Sequence, residues 1–110
     1  MEMECNNITK LILPAIRINI AEQLGGRYKL NQKEIADILG VAQVAVSKYL
    51  NGNYSKSLKR TAGKIRASGI VDSMVINAAR SEKPKEVERI VNDLCAKVVN
   101  DKLVNLWSKN

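Results

Sequence analysis

Residues 31–51, NQKEIADILGVAQVAVSKYLN, leave this chain few ways to fold. Asn31 stands three positions before Glu34. That is the spacing of a capping box, where each side chain accepts from the other residue's backbone N–H at a helix start. Leu30 and Ile35 have the spacing of a hydrophobic staple across the same start. Ile35, Ala36 and Leu39 then share one face at helical spacing. Gly40 predicts a stop, because the sharp turn needs a left-handed residue. Val41 follows as the apolar plug of the turn. A second helix is expected from 43 to about 50, with Gly52 ending it.

The residue types say more than the helices do. Ala36 is small enough for two helices to cross closely beside it. Val46 and Leu50, four apart, point inward with Tyr49 beside them. Gln43, Val44, Ser47, Lys48 and Asn51 stay outside. The last four follow an i, i+3, i+4, i+7 rhythm and make one mostly polar stripe. A DNA major groove admits one helix, and a helix with a buried back and a polar, cationic front suits it. Gln43 can grip adenine through N6 and N7, and Lys48 can take guanine or phosphate. Ser47 and Asn51 can reach base edges or phosphate. Val44 offers only apolar contact, for instance to a thymine methyl.

This segment resembles the helix-turn-helix of Cro/C1-type transcriptional repressors. The matching residues are Gln32, Ala36, Leu39, Gly40, Val41, Gln43, Val46 and the run from Ser47 through Lys48, Tyr49, Leu50 and Asn51 to Gly52. With the upstream Ile12-Leu13-Pro14-Ala15-Ile16-Arg17, the chain is similar to small archaeal regulators that pair such a helix with this motif. The likeness covers roughly residues 5–55. Ala42 departs from it, since a Thr or Ser often caps the second helix there; a missing cap costs about 1 kcal/mol. The resemblance implies that Gln32 binds a backbone phosphate from its helix N-terminus and braces Gln43. Read without it, Gln32 is an ordinary polar first-turn residue.

Charge is unevenly placed. The net charge is +7 over 110 residues. Residues 1–40 balance five bases with five acids. Residues 41–69 hold Lys48, Lys56, Lys59, Arg60, Lys64 and Arg66 and no acid at all. Residues 70–110 hold seven bases and six acids. The excess therefore lies on and just after the second helix of the motif. A solvated surface normally mixes both signs, whereas a phosphate-facing surface needs one sign to displace condensed counterions. The loop residues Asn53, Tyr54 and Lys56, followed by Lys59 and Arg60, are of types that position a protein on sugar and phosphate. Tyr54 could equally fold back on the core.

Other classes find less support. Phe is absent, so a core must come from Ile, Leu, Val and Ala. No apolar run approaches the ~18 residues of a membrane span, and no secretory signal is visible, so a cytoplasmic protein is expected. Cys5 and Cys95 make neither a disulfide framework nor a zinc set. With no His, the commonest general base and metal ligand are missing. No catalytic residue, metal site or cofactor is expected, and no effector pocket can be read.

In chain order, Ile8, Leu11, Ile12, Ile16, Ile20 and Leu24 line the inward face of a helix over 8–24. Pro14 should kink it or start a new one, giving a short turn and then a main helix from Leu13. Arg17 lies on the polar side, solvated or near phosphate. Gly25-Gly26 is expected to close this helix, and Tyr28 to pack on the core. A helix over 58–67 turns Leu58, Ala62 and Ile65 inward and ends at Gly69. Asp72 caps a short helix through about residue 80. Pro84 opens a long C-terminal one, with Val87, Ile90, Val91, Leu94, Cys95, Val98, Val99, Leu103, Leu106 and Trp107 as its apolar stripe.

The expected fold is all-α: a compact bundle of five to six helices around the helix-turn-helix, with a long C-terminal helix. Residues 1–69 form the DNA-binding core and 70–110 the C-terminal helices, within one domain overall. The expected function is sequence-specific binding of double-stranded DNA by a homodimeric regulator. Helix 43–51 lies in the major groove, basic residues of 48–66 meet phosphates, and Val91, Leu94, Val98, Leu103, Leu106 and Trp107 form the dimer interface. A protein-interaction module that kept the helix-turn-helix shape, such as an antitoxin or adaptor, is the alternative.

Overall fold

The computed structural model describes residues 2–81 and 83–100, with the side chains of residues 2–9 left aside. Six helices follow one another: α1 (Glu2–Tyr28), α2 (Gln32–Leu39), α3 (Gln43–Asn51), α4 (Lys56–Ser68), α5 (Ser73–Ser81) and α6 (Pro84–Asn100). No strand occurs among the described residues. The all-α expectation holds.

α1 is the hub, and every other helix packs on it. Ile12, Ala15, Ile16, Ile18, Ile20, Ala21 and Leu24 are all buried, so its middle is enclosed on nearly every side rather than along the single inward stripe expected. That enclosure explains two departures from the sequence reading. The helix runs unbroken through Pro14 instead of restarting at Leu13. Pro has no N–H for the Lys10 carbonyl, at a cost near ~3 kcal/mol. Burial of a single Ile side chain is worth about 1.5–3 kcal/mol, and several flank this position. The helix also continues past Gly25 and Gly26 to Tyr28. A Cβ on Gly25 would lie 3.6 Å from Ile35 Cδ1 and 3.8 Å from Leu50 Cδ2, so this glycine lies where α1 crosses the α2–α3 pair. The stop is Lys29, at φ 58°. Leu30 N–H donates back to the Leu24 carbonyl, six residues earlier, at 3.2 Å, folding the chain back over the helix end.

Among the described residues, Asn19 is the one buried polar side chain that ties two helices together. It is 3% exposed. Its Nδ2 donates to the Ala15 carbonyl at 2.8 Å and across to the Ala62 carbonyl of α4 at 3.1 Å. Beside it, Gln23 Nε2 donates to the Val71 carbonyl at 2.7 Å, holding the α4–α5 link to α1. At the far end of α1, the Arg80 guanidinium stacks 3.8 Å from the Tyr28 ring centroid. The Tyr28 hydroxyl lies 3.0 Å from Asn77 Oδ1, so α5 is clamped to the α1 terminus.

α4 begins two residues earlier than expected, at a Ser55 cap whose Oγ accepts from Leu58 N–H at 3.1 Å. Asp72 caps α5 as expected, accepting from Val75 N–H at 3.0 Å. α6 packs on α1, α2 and α5. Its Val87, Val91, Cys95 and Val98 are buried within this chain. Val91 and Val98, expected at a subunit interface, therefore have no surface left for a second copy. Leu94 is half-buried against the core. Leu103, Leu106 and Trp107 lie outside the described residues.

Two glycines give opposite expectations. Gly63 lies inside α4 with nothing within 4 Å of an added Cβ. Gly63→Ala should raise stability by about 1 kcal/mol, because Ala gives up less backbone entropy in a helix. Gly52 closes α3 at φ 69°, so Gly52→Ala should destabilise by roughly 1 kcal/mol. Thermal melts of the two variants should move in opposite directions.

Candidate nucleic-acid interface

The local chemistry of the 31–51 stretch positions the site. Glu34 N–H donates to Asn31 Oδ1 at 2.8 Å, and Asn31 N–H donates to Glu34 Oε1 at 2.9 Å. Both halves of the capping box are thus present. Gly40, at φ 69°, closes α2 with its N–H on the Ala36 carbonyl, and Val41 N–H reaches the same carbonyl at 3.1 Å. Ala42 precedes α3 without a side-chain cap. Ile35, Ala36 and Leu39 of α2 and Val46 of α3 are buried, which fixes how α3 is rotated about its axis.

That rotation puts the expected stripe outside. Gln43, Lys48 and Asn51 are exposed, and Ser47 is half-buried. Asn51 Nδ2 donates to Ser47 Oγ at 3.3 Å, so two stripe residues already share a bond. Val44 is 64% exposed. Most of an isopropyl group thus faces outward in the middle of a polar stripe. Gln32 opens α2 and is half-buried. Among the described residues no hydrogen bond joins it to Gln43.

The link between α3 and α4 and the first turns of α4 continue the surface. Asn53, Lys56, Lys59 and Arg60 are exposed. Lys56 opens α4, whose first turn carries no acid. A helix N-terminus already bears a partial positive charge, so a Lys there favours an outside anion over the helix itself. Tyr54 takes the inward course: it is half-buried and packs against the core. Lys59 Nζ sits 6.0 Å above its ring. Burial first, then the Glu22 carboxylate, push its phenol above the ordinary value, with Arg66 pulling the other way. Its hydroxyl therefore keeps its proton at neutral pH and can serve as a donor at the edge of this surface.

The acid-free run overstates the cationic face. Arg66 Nη2 lies 2.6 Å from Glu22 Oε1 of α1. With side chains 53% and 36% exposed, that pair is worth at most about 1 kcal/mol, but it engages Arg66 at the far end of α4. Lys48, Lys56, Lys59 and Arg60 remain as exposed cations alongside the stripe. Away from this surface, Cys95 is free and buried. Burial pushes its thiol up, against an opposing pull from Arg17.

The Ser55 cap and the Asn19 tether were not foreseen. Ser55 stands three residues before Leu58, a spacing that marks a helix start. A polar residue at position 19, between Ile18 and Ile20, was the only trace of the tether.

Among the described residues no His, Cys, Asp or Glu cluster could hold a metal ion. No described helix is long and apolar enough to cross a membrane. Residues 20–65 match a family model described as helix-turn-helix. The matched segment runs from the second half of α1 into α4 and contains both motif helices, so the chain carries a helix-turn-helix, a DNA-binding module. No curated protein and no solved structure matches the chain.

Proposed function

We propose that this protein is a dimeric transcriptional regulator that recognises a specific double-stranded DNA sequence through α3. The observation that carries the reading is the α3 stripe. Gln43, Val44, Lys48 and Asn51 are exposed on one face while Val46 is buried on the other. Gln43 is suited to adenine, Lys48 to guanine, and Val44 to a thymine methyl, while Ser47 and Asn51 reach bases or phosphate. Gln32, Asn53, Tyr54, Lys56, Lys59 and Arg60 are assigned to the backbone, where contacts set register without reading sequence. Gln32 reaches phosphate from the start of α2, and contact with Gln43 forms on the DNA.

One copy measures 38 × 25 × 22 Å and presents one reading helix. Two copies place two such helices roughly 34 Å apart, one turn of the duplex. The second copy is assigned to the half-buried Leu94 and to Leu103, Leu106 and Trp107. Regulation then follows from occupancy: a bound dimer blocks or recruits the transcription machinery at its site.

The test is selection of bound duplexes from a randomised pool. Enrichment of two inverted half-sites, with centres about one helical turn apart, is the expected result. A pool that stays random after several rounds would remove the regulator reading and favour the protein-docking alternative. The phosphate assignment has its own signature. Each phosphate contact contributes about 0.9 to the slope of log affinity against log salt. Lys56→Ala, Lys59→Ala and Arg60→Ala should each flatten that slope by about this amount and weaken all sequences alike.

A further inference from the structure

On a side of the molecule to which neither α2 nor α3 contributes, α1, the end of α4 and the turn into α5 frame an open cleft of about 630 Å³. Its walls mix polar and apolar surface and carry both signs of charge. Arg27 at the end of α1 and Asp72 at the start of α5 both line it. Both are exposed, and among the described residues no ion pair joins them. The Glu22–Arg66 pair, closed on itself at 2.6 Å, also lines the cleft. The cleft thus presents one guanidinium and one carboxylate that are not paired with each other.

The uncharged groups are half-used in one sense. Asn19, 3% exposed, also lines the cleft. Its Nδ2 spends both hydrogens on the Ala15 and Ala62 carbonyls, which fixes the amide orientation. Its Oδ1 accepts no hydrogen bond among the described residues. A buried acceptor of that kind is uncommon, since most such groups find a donor. Gln23 Nε2 is likewise engaged by the Val71 carbonyl, leaving its Oε1. One oxygen of Asp72 caps α5, leaving the other. The unused capacity is therefore three acceptors, on Asn19, Gln23 and Asp72, and the Arg27 guanidinium.

We propose that this cleft binds a small zwitterion of the α-amino-acid class. Its carboxylate pairs with Arg27, where the planar fork suits two oxygens. Its ammonium, with three donors, meets Asp72 and the amide oxygens of Asn19 and Gln23. The cleft volume falls within the range of small-molecule sites. Occupancy ties α1 to the α4–α5 turn, at the opposite end of α4 from Lys56 and Lys59. This site stands independently of the DNA reading, because its binding is measured with no nucleic acid present.

The experiment is calorimetric titration of the full chain with each of the standard L-α-amino acids. Any binder is compared with its decarboxylated amine and its deaminated acid. At least one amino acid should bind with Kd below about 1 mM. Both truncated analogues should bind at least about tenfold more weakly. Arg27→Ala should weaken binding similarly. So should Asp72→Asn, which removes the charge but keeps a good helix cap. A thermal melt near that of the wild type shows that each variant is folded. Absence of any binder at that level would overturn the proposal. So would binding that ignores both variants, or analogues that bind as well as the parent amino acid.

Discussion

Replacing Gln43 and Lys48 together by Ala is expected to erase most discrimination between target and random DNA while leaving the fold intact. Both side chains are exposed on α3, and no packed contact depends on them, so stability should change by no more than ~0.5 kcal/mol. Their loss should show in recognition. A well-made side-chain pairing with a base edge is worth about 1–3 kcal/mol of discrimination. Two such losses add to roughly 2–6 kcal/mol if the positions act independently. The specificity ratio should then fall by a factor between about 30 and about 2 × 10⁴. Lys48 also carries charge, so affinity for random DNA should drop modestly. Competition titrations of labelled target against unlabelled random duplex separate the two effects. An unchanged ratio in the double variant would mean that α3 does not read bases.

The largest effect on stability should come from α1. Ile20→Ala is expected to cost about 2–5 kcal/mol and Ile20→Val about 0.5–1.5 kcal/mol, a graded pair set by the methyl groups removed and the cavity left behind. Ile20 is fully buried on the helix against which every other helix packs. A domain of this size shifts its Tm by about 4–8 °C per kcal/mol, so the Ala variant should melt on the order of 8–40 °C lower. Against a total near 5–15 kcal/mol, that loss approaches unfolding at working temperature. The half-buried Leu13 should cost less on truncation. Equal effects at Leu13 and Ile20 would contradict the account of α1's stability by burial.

The motif was legible because its instructions are local. Asn31, Glu34, Gly40 and Gly52 each act within five residues, through bonds the backbone itself demands, so the helix limits and the rotation of α3 could be read from spacing alone. α1 was misread because its cues are local but its answer is not. Pro14 and Gly25-Gly26 are helix breakers in isolation. Here the helix is enclosed by the five others, and burial outweighs what the breakers cost; Gly25 marks a crossing with Ile35 and Leu50. The α6 stripe failed differently. Periodicity reports that Val91 and Val98 are covered, not whether their own chain covers them. Arg66 belonged to the acid-free run, yet its partner Glu22 lies 44 residues earlier, beyond any local pattern. Tyr54 had two open courses, and the core took it.

Sequence reading by α3 is tested most directly by fluorescence anisotropy of the wild-type chain on a duplex selected from a random pool and on its scrambled counterpart. Each is titrated at about 50 and about 200 mM salt. Affinity for both should fall with salt, because both are held by phosphates. The preference for the selected duplex should persist at the higher salt, because base contacts release few counterions. If the two duplexes bind alike and both are lost at the higher salt, only the cations of α3 and α4 are at work, and α3 is not a reading helix.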